Sequence, residues 1–189
     1  MIFITIGCLA FVLMLIFDIN QAFWFKKSLN YFFFLGLAVL TLSIFGIIIG
    51  DYPGFYVPIA LRIIFALMAG ISLLLLLATL FMWLPFGKTY LRVAKEGTVI
   101  DIGMFALCRH PGVVWSFLFY LFLWLSIGEN IIIGAGIMWT IANIIYVYIQ
   151  DVWLFPISFK GYDQYKNDVP FLIPTRDSIY KCWEFFRTS

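Results

Sequence analysis

The feature that most constrains this chain is a set of five long segments without a charged residue. They are Met1–Phe17, Ser28–Gly50, Ile63–Gly87, Pro111–Gly128 and Asn130–Gln150. An α-helix needs about 20 apolar residues to cross the hydrocarbon core of a bilayer, and these segments approach or exceed that length. The sequence therefore predicts five transmembrane helices. The short interruption at Gly128-Glu129-Asn130 predicts a tight turn between the last two.

The composition of the chain agrees with membrane insertion and excludes other classes of protein. Of its 189 residues, 64% are hydrophobic and 12% are charged, whereas soluble domains have roughly 45–50% and about 25%. A soluble globule of this length cannot bury so much apolar surface, and disordered chains show the opposite bias. A net charge of +2 gives no reason to expect nucleic acid as a partner. The expected partner is the lipid bilayer.

We expect one all-α integral membrane domain over residues 1–189, with five spans and a C-terminal cytoplasmic helical tail. Residues 1–87 form a three-helix scaffold, residues 88–174 carry the polar motifs, and residues 175–189 form the tail. The first segment has no basic leader and no A-x-A cleavage pattern, so it is interpreted as a retained helix and not as a signal peptide.

The basic residues predict the orientation in the membrane. With the N-terminus outside, five spans place eleven of the twelve Lys and Arg residues on the cytoplasmic side, which is a strong positive-inside asymmetry. These eleven are Lys26, Lys27, Lys88, Arg92, Lys95, Arg109, Lys160, Lys166, Arg176, Lys181 and Arg187. We therefore expect the C-terminus in the cytoplasm. The abundance of Phe and Ile favours a bacterial plasma membrane.

The remaining polar residues exclude several kinds of site. Cys8, Cys108 and Cys182 are far apart and lack ligand-like spacing to the single histidine, so we expect neither a disulfide framework nor a metal site. No ionisable group is expected deep inside a helix, which argues against a transporter. The polar chemistry of the chain is therefore expected in the segment before the fourth span and in the tail.

The first candidate site is the sequence Arg109-His110-Pro111 at the start of the fourth span. Proline suits the first position of a helix, because its missing N–H is not needed there. Arg109 and His110 then lie beside the unpaired N–H groups of the helix, where a carboxylate or phosphate can bind. The alternative is that both side chains extend into the lipid headgroups.

The second candidate is Asp151, at the end of the fifth span. Because the last two spans form an antiparallel hairpin of similar lengths, Asp151 is expected to approach His110. There it can orient the imidazole or raise its pKa. The alternative is that Asp151 is only the first solvated residue beyond the membrane.

The third candidate is a pair of tyrosines in the tail. Tyr162 and Tyr165 are three residues apart, so they share one face of a helix. Two aromatic faces near a cationic group can supply cation–π contacts to a sulfonium or ammonium. The alternative is that the pair anchors the protein at the membrane surface.

Taken together, these segments carry the pattern G-x-F-x-x-x-R-H-P over Gly103–Pro111, an acid at Asp151, and F-x-x-Y-x-x-Y-x-x-x-V-P over Phe159–Pro170 with a following Ile-Pro. In this order they resemble the superfamily of isoprenylcysteine carboxyl methyltransferases and phospholipid N-methyltransferases. The resemblance covers the C-terminal part of the chain from Gly97 to Pro174. It implies an S-adenosylmethionine pocket on the cytosolic side, closed by the tail, and a lipophilic acceptor that enters from the bilayer.

We accordingly expect one cofactor pocket and no metal. Its binding residues are Val99, Gly103, Phe105, Arg109, His110, Pro111, Tyr162 and Tyr165. Arg109 and Asp151 are the candidate catalytic residues. Val99 and Phe105 are expected to flank the adenine, and Arg109 is expected to bind the carboxylate of the cofactor.

The chain departs from the family pattern at four positions. Val113 and Trp115 replace a tyrosine and a glycine of the motif, Gly97 replaces a histidine, and Gln150-Asp151 replaces a pair of glutamates. These changes remove family side chains, whereas backbone contacts to a cofactor depend on the fold. Two other functions therefore stay open: an NADPH-dependent membrane reductase of the sterol reductase type, and a non-catalytic membrane protein that retains the fold.

Overall fold

The computed structural model describes residues 1–83 and 97–188. Long helices dominate it, joined to a small C-terminal region of short elements. The helices and strands are α1 (Ile2–Ile19), α2 (Phe32–Ile48), α3 (Ile59–Ala78), β1 (Gly97–Thr98), α4 (Met104–Leu107), α5 (Pro111–Ile127), α6 (Asn130–Ile149), α7 (Phe155–Ser158), β2 (Phe159–Lys160), α8 (Tyr162–Asp168) and α9 (Arg176–Thr188). Lys88, Arg92, Lys95 and the end of the third apolar segment lie outside the described residues.

Four helical stretches are long and apolar enough to cross a membrane. They are Ile2–Trp24, Lys27–Ile48, Ile59–Met82 and Asn130–Ser158. The helix α5 is apolar but has 17 residues, which at about 1.5 Å per residue span roughly 26 Å of a hydrocarbon core about 30 Å thick. The chain is thus an all-α protein whose long apolar helices indicate a membrane protein.

The first helix extends beyond the apolar segment that predicted it. After α1 the chain continues through a π-helical turn, Asn20–Trp24. Asp18 therefore lies within a candidate span, and its side chain is buried. The sequence predicts no ionisable group deep inside a helix, and Asp18 is buried in the last turn of α1, because the helix and its packing continue past the end of the apolar run.

A buried asparagine fixes the turn that follows α1. The amide nitrogen of Asn20 donates to the carbonyl of Lys26 at 3.0 Å, and its side-chain oxygen accepts from the Lys26 N–H at 2.8 Å. Phe25 adopts a left-handed conformation with φ 52° inside this loop. These bonds direct the chain back through the 3-10 helix Lys27–Tyr31 into α2.

The apolar core lies where α1, α2, α5 and α6 meet. It is built from large side chains, with Phe17 and Trp139 almost completely buried. The indole N–H of Trp139 donates to the carbonyl of Ile4 at 2.9 Å. Gly7 faces this indole so closely that a Cβ atom there would lie 2.3 Å from Nε1. Glycine at this position permits α1 and α6 to approach each other.

The predicted turn between the last two long apolar segments is confirmed. The helix α5 ends before Gly128, whose φ of 92° suits glycine, and α6 begins at Asn130. The Gly128 carbonyl accepts from the N–H of Phe55, and the Asn130 N–H donates to the carbonyl of Pro53. The loop before α3 is thereby held against the hairpin.

The C-terminal region folds back over the start of α5. The strands β1 and β2 pair in parallel, with Gly97 opposite Phe159. The helix α9 packs against α4, and its first turn is capped reciprocally: the Ser178 N–H donates to Thr175 Oγ1, and the Thr175 N–H donates to Ser178 Oγ. The helical tail expected over residues 175–189 is thus present as α9.

Candidate functional site

A cavity of about 180 Å³ lies between the long helices and the C-terminal region. One end is lined by aromatic and charged groups near the start of α5, and the other by apolar side chains of α1 and α2. Seven of the predicted site residues line it, namely Val99, Phe105, Arg109, His110, Pro111, Tyr162 and Tyr165. The other two, Gly103 and Asp151, lie outside the lining.

A buried ion pair lies at the charged end of this cavity, where Arg109 is part of the lining. The guanidinium of Arg109 donates from Nε to Asp151 Oδ1 at 2.8 Å and from Nη2 to Oδ2 at 3.2 Å. Their side chains are 10% and 5% exposed. Asp151 is therefore not a solvated residue beyond the membrane. It ties the end of α6 to the start of α5.

Arg109 also holds the tail. Its Nη1 donates to the carbonyls of Lys166 and Val169 at 2.8 and 2.7 Å. The backbone N–H groups of Arg109 and His110 donate to the carbonyls of Pro170 and Phe171. Four of the five guanidinium N–H groups thus bind protein oxygens. Among the described residues, one Nη2 N–H has no hydrogen-bond partner.

His110 precedes α5 and contacts the same carboxylate. Its Nε2 lies 3.3 Å from Asp151 Oδ1, and its ring packs between Phe155 and Phe171. Burial lowers the pKa of His110, and Asp151 only partly opposes this shift. Asp151 therefore orients a neutral imidazole. Asp151 does raise the pKa of His110, but desolvation lowers this pKa by more, so the net shift is downward.

The two tyrosines share a face of α8, and both are buried. The Tyr162 hydroxyl donates to Asp151 Oδ1 and the Tyr165 hydroxyl donates to the carbonyl of Phe105, each at 2.8 Å. Burial raises the pKa of both phenols, so they stay neutral. The ring centroids are 5.7 Å apart. Neither ring lies at the surface, where a membrane anchor would be.

Gly103 acts through its backbone. It precedes α4 with φ 61° and ψ −129°, a conformation that side chains disfavour. Its carbonyl accepts from the N–H of Ala106. The turn directs Phe105 inward, so Gly103 shapes the cavity from outside its lining.

The positions that depart from the family pattern differ in whether they line the cavity. Val113 is buried and lines the cavity, whereas Trp115 is outside the lining. The indole Nε1 of Trp115 is buried and has no hydrogen-bond partner among the described residues. Gly97 lies in the short strand pair beside the cavity.

A second polar group, missed from the sequence, lies on the cavity wall. Tyr146 and Gln150 line the cavity, and both hydrogen-bond to the carboxylate of Asp18 behind them. Two features of the sequence could have indicated this group. One is the acid directly after an apolar run, and the other is the four-residue spacing of Tyr146 and Gln150, which places them on one helix face.

The described residues contain no group of His, Cys, Asp and Glu side chains that could hold a metal ion. Cys8, Cys108 and Cys182 are free thiols. Burial raises the pKa of Cys108 to about 11, so this thiol is protonated. The chain matches no protein-family model, no characterised protein and no solved structure.

Proposed function

We propose that this protein is an integral-membrane methyltransferase that uses S-adenosylmethionine and acts on a small or lipophilic acceptor. The observation that supports this function best is the two-ended cavity. Aromatic rings surround one end beside the Arg109–Asp151 pair, while the other end lies between membrane helices. Such a shape suits a polar cofactor at one end and an apolar acceptor at the other.

The cofactor has three parts that need different surroundings. The rings of Phe155, Tyr162 and Tyr165 offer π faces to a sulfonium. Val99 and Phe105 offer apolar contacts to an adenine. The carboxylate of the cofactor can bind to the remaining Nη2 N–H of Arg109 and to the N-terminus of α5, which begins at the cavity wall. These residues fit the cofactor, with a weaker carboxylate contact than the sequence suggested.

When bound, the cofactor supplies an electrophilic methyl group. The chain's own contribution is to hold the two reactants in line and to exclude water, and positioning of this kind can account for much of a rate enhancement. The tail performs the second task, because Arg109 and Asp151 hold α8 over the charged end. No titrating histidine is required for this chemistry, which agrees with a neutral His110.

The acceptor end is apolar. It is lined by Phe11 and Met14 of α1 and by Phe33, Leu37 and Leu40 of α2. Because these helices are candidate membrane spans, an acceptor with a hydrocarbon part fits this end better than a fully polar one. The substrate class is therefore a lipophilic molecule that presents its nucleophile toward the aromatic end.

We further propose five spans with the N-terminus outside and the C-terminus in the cytoplasm of a bacterial cell. The segregation of basic residues supports this orientation. It places Arg109, the tail and the charged end of the cavity at the cytoplasmic face, where S-adenosylmethionine is made. The helix α5 is then the fourth of these five spans, and its 17 residues suit an orientation with little tilt.

The reductase alternative requires a site for the 2′-phosphate of NADPH. Among the described residues that line the cavity, Arg109 is the only permanent cation, and it is already paired with Asp151. This favours the methyltransferase. The non-catalytic alternative predicts that neither nucleotide binds.

A thermal-shift titration separates these functions, because a ligand that binds only the native state raises its unfolding temperature. The purified protein is titrated with S-adenosylhomocysteine and, separately, with NADPH. We expect a saturable shift with the first ligand alone. The variant Asp151→Asn should reduce the shift, while Asp163→Asn, the same change at an exposed position of α8, should leave it unchanged.

A further inference from the structure

The C-terminal helix α9 exposes an apolar strip along one side. The helix packs against α4, and its Ser178 and Cys182 side chains are buried. Ile179, Trp183 and Phe186 are exposed instead, with Trp183 68% exposed. Because these three residues are separated by four and then three positions, they lie along one face of the helix. An exposed apolar strip of this kind marks an interaction surface.

The charged residues of α9 are arranged around this strip according to their sign. Arg176 precedes the first residue of the strip by three positions, and Arg187 follows its tryptophan by four, so both arginines adjoin the strip. With about 3.6 residues per turn, the acids Asp177 and Glu184 lie roughly a quarter of a turn or more from every residue of the strip. All four charged residues are exposed. This arrangement of charge is complementary to an anionic surface.

The attachment of α9 holds the strip near the expected membrane surface. The helix α4, against which α9 packs, ends at Leu107, four residues before α5 begins at Pro111. Four residues span at most about 14 Å. In addition, the N–H of His110 donates to the carbonyl of Phe171, five residues before α9 begins at Arg176. The helix is therefore held close to the end of an apolar helix, where we expect the membrane boundary.

We propose that α9 lies in the headgroup region of the membrane and binds anionic lipid. Ile179, Trp183 and Phe186 insert between the lipids, and Arg176 and Arg187 bind the anionic headgroups. Helices with an apolar face flanked by basic residues lie in the plane of the interface, and tryptophan is enriched at this depth. The proposal rests on the long apolar helices that indicate a membrane protein, and it is independent of the cofactor and of the methyltransferase function.

A second protein chain fits this strip less well than lipid does. Three partly exposed side chains offer on the order of 400 Å² of apolar surface, whereas a stable protein interface takes roughly 800 Å² from each partner. Association of two chains also costs translational and rotational freedom. Insertion of α9 into the bilayer avoids most of this cost, because the long apolar helices already hold the chain in the membrane.

The first test locates Trp183 with the full chain in nanodiscs that contain phosphatidylcholine and phosphatidylglycerol. Its fluorescence is the difference between the wild type and Trp183→Phe. We expect phospholipids with brominated acyl chains to quench this fluorescence, and we expect weak quenching by acrylamide in the water. Quenching by acrylamide alone overturns the proposal. Protection from both quenchers would show that protein covers the strip, and this result also overturns the proposal.

The second test asks whether anionic lipid is recognised, by comparing nanodiscs with and without phosphatidylglycerol. The ratio of bromolipid quenching to acrylamide quenching should rise with phosphatidylglycerol, by roughly fivefold for each arginine at the anionic surface. Arg187→Gln should lower this rise roughly fivefold. Lys181→Gln is the matched control, because it removes the same charge from an exposed position two residues before Trp183, on the opposite side of the helix.

The control variant should keep a rise close to that of the wild type. Both substituted side chains are exposed, so both variants should fold, and thermal unfolding in the same nanodiscs verifies this. A merely structural arginine would change the unfolding temperature and would leave the lipid dependence of the quenching ratio unchanged. A ratio that does not depend on phosphatidylglycerol, or equal effects of Arg187→Gln and Lys181→Gln, overturns the proposal.

Discussion

Arg109 and Asp151, 42 residues apart in the sequence, form a two-point ion pair that joins the start of α5 to the end of α6. The same carboxylate accepts hydrogen bonds from Tyr162 and His110, and the same guanidinium binds two carbonyls of the tail. The pair is therefore the junction at which three parts of the chain meet. The charged end of the cavity depends on this junction.

The first prediction concerns the stability of this junction. Arg109→Ala leaves the Asp151 carboxylate buried without its main partner, and loss of one member of a buried pair typically costs about 3–5 kcal/mol. We expect a large fall in the unfolding temperature and early proteolysis after α6. Arg176→Ala, which removes an exposed arginine of α9, should change little. Equal effects of the two substitutions would show that the ion pair does not stabilise the fold.

The second prediction concerns pH. Burial lowers the pKa of His110 in the folded protein below its ordinary value of 6.5, so the unfolded chain binds the proton more readily. Stability should therefore be complete above that value and should fall as pH drops through about 6.5 toward the folded pKa. Because His110 is the only histidine, its replacement isolates the effect. Thermal unfolding of His110→Gln should lack this slope, and a wild type that becomes more stable on acidification would contradict the account.

The third prediction tests the contact between α1 and α6. Gly7→Ala places a Cβ atom 2.3 Å from Trp139 Nε1, and the indole cannot move without losing its bond to Ile4. Overpacking of this kind typically costs about 1–3 kcal/mol. Gly70→Ala is the matched control, because its Cβ meets nothing within 4 Å. Thermal unfolding should show destabilisation of the first variant and no loss of stability in the second.

The fourth prediction concerns orientation. Reporter proteins fused after Ser189 should be active when they require the cytoplasm and inactive when they require export, because the segregation of basic residues predicts a cytoplasmic C-terminus. Fusions in the loop at Asp51 should show the opposite behaviour. A C-terminal reporter that works only after export would reverse the proposed topology.

Much of the architecture was predictable from residue pattern alone. The apolar segments predicted the helices, Gly128 predicted the hairpin turn, and Pro111 predicted the start of α5, because each depends on local chemistry. The approach of His110 to Asp151 followed from the antiparallel hairpin. These features depend on helix length and on one connection, both of which can be read along the chain.

Other features depend on packing between distant segments and were not predictable. The guanidinium of Arg109 donates hydrogen bonds to the carbonyls of Lys166 and Val169. No sequence pattern indicates such a bond from a side chain to the backbone. Asp18 was missed because the apolar run ends before it, although α1 does not. Its hydrogen-bond partners, Tyr146 and Gln150, are distant from it in the sequence. Only the packing of α1 against α6 brings them into contact with it.

The central claim is that the cavity binds S-adenosylmethionine, and equilibrium binding of radiolabelled S-adenosylmethionine to the protein in nanodiscs tests it most directly. The account predicts saturable binding at or below millimolar concentration, displaced by S-adenosylhomocysteine and not by NADPH. The absence of saturable binding at millimolar concentration, in protein that unfolds cooperatively, would contradict it.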